Sequence, residues 1–232
     1  MDLSQLRQAV LEANLELVRQ GLVLHTFGNA SGVDRAAGVV VIKPSGVAYA
    51  ELTPESMVVT DLEGRVLEGT LRPSSDLPTH LRLYRALPGI GGVAHTHSEY
   101  ATSWAQAGRA IPCLGTTHAD YFPGAVPVTP ALSPAQIAGA YEDETGATIC
   151  KLLAGLSPLP PAALVRGHGP FCWGLDPAEA AHVAAALERI AAMAYRTLQL
   201  AAREPPFDPA LQRRHYRRKH GDTAYYGQRG GA

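Results

Sequence analysis

The sequence predicts an α/β fold: a three-layer α/β/α sandwich with a mixed, mostly antiparallel central sheet. Three observations carry that expectation. Short apolar and β-branched runs recur along the chain, some joined by tight turns and others separated by segments of helical period, so hairpins and crossovers must share one sheet. Helical segments are numerous enough to cover both faces of that sheet. With 232 residues and 46% hydrophobic content, the chain can bury a sizeable core and fits one domain spanning 1–232.

Leu3, Leu6, Val10, Ala13 and Leu17 recur at helical spacing ahead of Gly21, predicting an amphipathic helix over 4–19. Leu22-Val23-Leu24, Val39-Val40-Val41-Ile42, Met57-Val58-Val59 and Arg65-Val66-Leu67 read as strands, the last two as a hairpin around Glu63-Gly64. Ser75-Asp76-Leu77-Pro78 is a helix start, with Leu81, Tyr84 and Leu87 on one face before Pro88. Gly91-Gly92-Val93-Ala94 leads into a strand that can be buried on both faces. Helices are expected over 98–107, 134–154 and 177–201, the last capped by Asp176 with Glu179 three residues on. Further strands should lie near 111–114, 126–129, 164–166 and 171–173. Glu204-Pro205-Pro206 then breaks the structure, and the tail carries Arg213-Arg214-His215-Tyr216-Arg217-Arg218-Lys219-His220, a kind of basic run that is ordinarily a solvated face.

Composition narrows the function classes. The formal net charge is -1, so the chain as a whole has no electrostatic reason to bind nucleic acid or an anionic membrane. Cys113, Cys150 and Cys172 are odd in number and widely spaced among apolar residues, which reads as buried reduced thiols in a cytoplasmic protein and not as a disulfide framework. No apolar stretch approaches the roughly 20 residues needed to span a bilayer.

The residues with the most chemistry are His95-Thr96-His97. In an extended strand, residues two apart face the same side, so both imidazoles can converge on one ion. Chance alone supplies about 0.35 such pairs from nine histidines in this length, and two satisfied, partly buried histidines remain an alternative. His168, set between Gly167 and Gly169 after the run Ala162-Ala163-Leu164-Val165, is a candidate third ligand; three ligands with open positions are what metal catalysis needs. Gly28-Asn29-Ala30-Ser31-Gly32 and Lys43-Pro44-Ser45-Gly46 suit phosphate, with small residues, backbone N–H groups and one ammonium. Either can also be an ordinary turn. Ser74-Ser75 beside a helix start is a third such segment. On the residues alone, Asp76 reads first as a helix N-cap and Asp120 as an Asx-turn residue.

Taken together, Phe27-Gly28-Asn29, Lys43-Pro44-Ser45-Gly46, Pro73-Ser74-Ser75-Asp76, His95-Thr96-His97, Gly115-Thr116-Thr117-His118-Ala119-Asp120-Tyr121, His168-Gly169-Pro170-Phe171, Lys219-His220-Gly221 and Ala224-Tyr225-Tyr226-Gly227-Gln228 resemble the class II aldolase (AraD-like) family, in its sugar-phosphate epimerase branch. The resemblance runs from about residue 4 to residue 228. It implies an α/β/α sandwich and a homotetramer with active sites between subunits. It implies that His95, His97 and His168 bind zinc, or another divalent ion such as manganese or cobalt, with Asp76 as a further ligand or neighbour. Gly28, Asn29, Lys43, Ser45, Gly46, Ser74 and Ser75 would hold a sugar phosphate. Asp120 and Tyr226 would be proton shuttles, with Tyr226 reaching a neighbouring subunit's site. His215 and Arg218 would help close that site on substrate, giving the tail over 204–232 a part in it.

The activity so implied is metal-dependent epimerisation of L-ribulose 5-phosphate to D-xylulose 5-phosphate by retro-aldol cleavage and re-addition at C3–C4, in sugar catabolism such as that of arabinose. Two departures from the family's usual blocks, Phe27 in place of a common Trp and Arg166-Gly167 before the third His, bear on substrate fine-tuning and remove no polar group. A rival within the family is an aldolase cleaving a ketose 1-phosphate such as L-fuculose 1-phosphate; Asp76, where those aldolases tend to carry a Glu, together with Asp120 and Tyr226, favours the epimerase. A metal-stabilised module docking RNA through its basic tail would leave most of these blocks idle. A cupin barrel would lack the long helix expected over 177–201.

Overall fold

Leu6, Val10, Ala13 and Leu17 bury one stripe of helix α1 (Leu3–Arg19), which Asp2 caps by accepting from the Gln5 N–H at 2.8 Å. In the computed structural model, which describes residues 2–201, 203–220 and 224–226, there follow β1 (Asn29–Asp34), β2 (Val39–Ile42), β3 (Val58–Asp61), β4 (Val66–Glu68), α2 (Leu77–Ala86), β5 (Gly92–His95), α3 (Glu99–Ala107) and α4 (Thr116–Ala119). The second half adds α5 (Pro134–Ala138), α6 (Tyr141–Leu153), β6 (Ala162–Val165), β7 (Gly169–Gly174), α7 (Pro177–Leu200) and α8 (Pro209–His220). The strands form one seven-stranded sheet in the order β4-β3-β2-β1-β5-β7-β6. Each neighbouring pair of named strands is antiparallel, so of the mixed, mostly antiparallel sheet expected from sequence the antiparallel part makes up all the named strands. An isolated bridge from Val128 to Leu164 is parallel.

Period-two alternation divides the core between the two faces. Val93, Ala163, Val165, Phe171 and Trp173 join Leu77, Leu81 and Tyr84 of α2 and Ile149 of α6. Ala94, Ala162, Leu164 and Cys172 join Leu17 of α1, Trp104 of α3 and Leu187 of α7. Helices therefore cover both faces, and the three-layer sandwich stands. Asp176 caps α7 as expected, accepting from the Glu179 N–H at 2.8 Å, but the Glu179 carboxylate reaches back to the Leu175 N–H at 2.6 Å instead of to the cap residue.

Several elements differ from expectation for physical reasons. Strand β1 is central although Asn29, Ser31 and Gly32 are poor strand formers, because packing selects small residues there: a Cβ on Gly32 would lie 2.7 Å from Pro177 and 2.8 Å from Leu6. Leu22-Val23-Leu24 is no strand; the Leu22 N–H closes the end of α1 on Leu17 O at 2.9 Å, and Leu24 is exposed. The helix expected over 134–154 breaks at Gly139 into α5 and α6. Segments 111–114 and 126–129 meet through a bridge between Ile111 and Val126 and form no named strand. The basic tail contains a helix, α8.

The entry to α7 crosses β5 at very short range. A Cβ on Gly91 would lie 2.0 Å from the Leu175 carbonyl oxygen, and one on Gly92 would lie 2.2 Å from that of Asp176. Only glycine permits this approach.

Candidate metal centre

Strand β5 ends at His95, which lies opposite Asn29 on β1 and Phe171 on β7. His97 follows two residues later, and His168 enters from the turn between β6 and β7, its N–H bonded to Val165 O at 3.0 Å. One ring nitrogen from each of the three histidines lies within 4.8 Å of the others, and the Nε2 atoms of His95 and His97 are 3.1 Å apart. The His95 ring stacks on Phe171 with centroids 4.1 Å apart. Its Nδ1 is 2.9 Å from the Pro170 carbonyl oxygen. A carbonyl only accepts, so the ring proton sits on Nδ1 and the Nε2 lone pair is left for an ion. The Tyr141 hydroxyl, 3.2 Å from His168 Nδ1, orients the third ring. Burial, reinforced by the neighbouring imidazoles, pushes the pKa of His97 down and that of His168 to about 4. Those rings are neutral at pH 7, the form that ligates metal. Three converging imidazole nitrogens at a cleft could hold a divalent ion of the zinc type.

Asp76 occupies the cap position of α2, yet its side chain makes no capping bond; Oδ2 accepts from Asn29 Nδ2 at 2.7 Å. The capping alternative therefore gives way to a residue that lines the cleft. Burial opposes its charge, but His95, His80 and the Asn29 bond outweigh burial and hold the carboxyl below its ordinary range. The converging set itself is the three imidazoles, with Asp76 beside it.

The cleft has a volume of about 380 Å³, and Gly28, Asn29, Lys43, Ser45, Gly46, Ser74 and Ser75 all line it with the three histidines. Of the segment read as a small-residue loop, only Gly28 and Asn29 reach the cleft; Ala30, Ser31 and Gly32 are buried in β1. The other two segments brace each other, Ser45 N–H on Arg72 O at 2.9 Å and Ser74 N–H on Lys43 O at 3.0 Å. Lys43 is 2% exposed beneath the Tyr49 ring, its ammonium 4.8 Å from the ring centroid. Its hydrogen bonds go to the Thr26 and Pro44 carbonyls at 3.4 and 3.3 Å, and burial lowers its pKa. A buried ammonium held only by carbonyls has attraction to spare for a phosphate. Sequence reasoning missed Tyr141 and Glu142, which also line the cleft from the start of α6. Gly139, which breaks the helix just before them, was the available signal.

Asp120, His215, Arg218 and Tyr226 do not line this cleft. They form a second cluster, where Asp120 ends α4 and its carboxylate accepts from His215 Nδ1 at 3.0 Å and from Arg218 through Nε at 2.8 Å and through Nη2. His220 donates to the Asp120 carbonyl at 2.8 Å. The Arg218 guanidinium lies 4.5 Å from the Tyr226 ring centroid, and the Lys219 ammonium 4.8 Å. Burial opposes the Asp120 charge, but Arg218 and His215 outweigh it and keep the carboxyl below its usual range. The basic run is thus a helix with one face docked on Asp120, not a solvated face throughout. Gly221, Gly227 and Gln228 of the C-terminal blocks lie outside the described residues.

Compared with known proteins, residues 8–195 match the class II aldolase and adducin N-terminal domain. L-ribulose-5-phosphate 4-epimerase UlaF of Salmonella paratyphi B is 51% identical over 228 residues, 98% of this chain and 100% of its own length. Among solved structures, an L-fuculose 1-phosphate aldolase matches with a TM-score of 0.76 at 23% identity, over 91% of this chain and 94% of its own, a likeness of fold. The L-fuculose-1-phosphate aldolase of Thermus thermophilus matches with a TM-score of 0.68 at 28% identity, over 86% and 98%.

Proposed function

This chain belongs to the class II aldolase and adducin N-terminal domain family, and on that premise we propose that it is a metal-dependent epimerase converting L-ribulose 5-phosphate to D-xylulose 5-phosphate. The observation that carries the reading is the 51% identity to a 4-epimerase along 98% of the chain. The cleft supports it by joining three converging imidazoles to a buried ammonium and a set of small polar residues.

The hydrogen on C4 of the sugar is not acidic, so its inversion proceeds by breaking the C3–C4 bond. A base takes the C4 hydroxyl proton, and the C3–C4 bond cleaves with its electron pair moving toward the C2 carbonyl, giving a three-carbon enediolate and glycolaldehyde phosphate. The aldehyde turns, the enediolate adds to its other face, and an acid returns a proton to the C4 oxygen. His95, His97 and His168 would hold the divalent ion, with Asp76 as ligand or neighbour, and bound zinc, manganese or cobalt supplies Lewis-acid stabilisation of the negative charge on the ketose oxygens. Lys43, Asn29, Ser45, Ser74 and Ser75, with the backbone at Gly28 and Gly46, hold the phosphate and so keep the aldehyde fragment from leaving while it turns.

Asp120 and Tyr226 move the proton, one on each face of the aldehyde. Both lie outside the cleft of their own chain, so they serve the cleft of a neighbouring subunit in a homotetramer, and the tail over 204–232 completes that site. His215 and Arg218 keep Asp120 ionised, hence ready to accept a proton, and contact substrate when the site closes. Cys172 is buried as expected while Cys113 and Cys150 are only partly so, and three free thiols support a reducing, cytoplasmic setting, in pentose catabolism such as that of arabinose.

A second reading is favoured by the solved neighbours, which are named aldolases: cleavage of L-fuculose 1-phosphate by the same metal chemistry. Incubating the zinc-loaded protein with each sugar decides between them. Formation of D-xylulose 5-phosphate from L-ribulose 5-phosphate is expected; rapid cleavage of L-fuculose 1-phosphate without that conversion would select the aldolase.

A further inference from the structure

Beneath the cleft, β1 and α2 are joined by a column of buried polar side chains. Asn29 and Ser31 lie two apart on a strand and share a face, while Asp76 and His80 lie four apart at the start of α2 and share a stripe. Two strand residues advance about 6.6 Å and four helical residues about 6 Å, so the pairs meet rung to rung. Asn29 Nδ2 donates to Asp76 Oδ2 at 2.7 Å, and Ser31 Oγ lies 2.7 Å from His80 Nδ1. One turn further along α2, the Tyr84 hydroxyl lies 2.7 Å from the same Ser31 oxygen. Ser31, His80 and Tyr84 are all 0% exposed, so no solvent replaces a lost bond.

His80 is more than packing. Its other ring nitrogen, Nε2, is buried without a partner, a penalty that an apolar side chain of similar size would avoid. Asp76 and His95, the ionisable groups whose charges act on its ring, both belong to the metal centre. Its ring also meets Phe171 edge-on at 6.0 Å, and Phe171 is the ring on which His95 stacks.

We propose that His80 is a positioning residue for the metal centre. Ser31 and Tyr84 fix its ring, and the ring keeps Asp76 and, through Phe171, His95 in place beside His97 and His168. The proposal rests on the metal-centre reading above and extends it to a side chain that touches neither ion nor substrate.

Zinc affinity, measured by competition with a chromophoric chelator on the full chain, tests it alongside kcat and KM for L-ribulose 5-phosphate. His80→Phe keeps the ring volume and removes both nitrogens; zinc binding about tenfold or more weaker is expected, with kcat lowered and KM within about twofold of the parent. His80→Asn, whose amide reaches the Nδ1 position and can keep the bond to Ser31 Oγ, should recover zinc affinity to within about threefold. Wild-type zinc affinity in His80→Phe overturns the proposal. Should circular dichroism show that this variant does not fold, Ser31→Ala decides: zinc held about threefold or more weakly supports the column, and unchanged affinity overturns it. Tight zinc binding by the parent without conversion of L-ribulose 5-phosphate would sink the epimerase reading alone, leaving His80 to be judged on zinc affinity.

Discussion

In the imidazole cleft, the ligand rings are set by a sheet: His95 sits at the end of a strand, stacked on Phe171 and tethered to the Pro170 carbonyl. Around Asp120, by contrast, long side chains from α8 reach across to one carboxylate, and charge does the holding. The first arrangement leaves imidazole nitrogens turned to a cavity; the second leaves opposite charges already joined. The first construction suits a site that could take up a cation. The second holds its carboxylate below the ordinary range.

The contrast can be broken or sharpened experimentally, beginning with the largest effect. His97 is exposed, so His97→Ala should change stability by no more than about 0.5 kcal/mol while abolishing zinc binding and turnover; zinc retained at parental affinity would remove His97 from the metal centre. Next, Asp120→Asn and Tyr226→Phe should each lower turnover about 10²- to 10⁴-fold with zinc affinity unchanged. Full turnover in both would end the two-shuttle assignment. Lys43→Met is expected to raise KM for the sugar phosphate about 10- to 100-fold, as loss of a charge-assisted contact implies, and an unchanged KM would place the phosphate elsewhere.

The smallest effect concerns pH. His118, two residues before Asp120, donates from Nε2 to Gly124 O at 2.8 Å, and burial pushes its pKa down to about 4. The unfolded chain titrates this residue near 6.5, so between about pH 6.5 and 4 it binds the proton that the folded state refuses. The contribution is fully present above about pH 6.5 and is lost as pH falls, by up to about 3 kcal/mol. Thermal unfolding of the metal-free protein from pH 7 to 4.5 should therefore show a shallower decline in His118→Gln than in the parent; identical slopes would rule His118 out as the cause.

Much of this architecture was legible because the continuous apolar runs Val39 to Ile42 and Phe171 to Trp173, and the stripe of α1, are local signals that tertiary packing merely reinforces. Strand β1 was not, since its residues are chosen by what presses on them, Leu6 and Pro177, and not by strand propensity. The tail misled for a related reason: a basic run reads as solvated until Asp120, about a hundred positions earlier, is known to lie against it. Within the cleft, the histidines and the segments at Lys43 and Ser74 could be picked out as short blocks. Tyr141 and Glu142 were missed because their approach depends on where a helix breaks, for which Gly139 was the one local sign.

Gly91 and Gly92 have a bearing on how such a protein tolerates change. Neither touches the cleft, yet backbone oxygens of Leu175 and Asp176 fill the space any side chain would need. The strand that Gly92 begins, directly after Gly91, ends at His95. In a survey of all single substitutions, these two positions would score as intolerant as the proposed metal ligands, for a reason that is purely steric. Intolerance along β5 thus maps where α7 crosses the sheet as much as where the chemistry takes place.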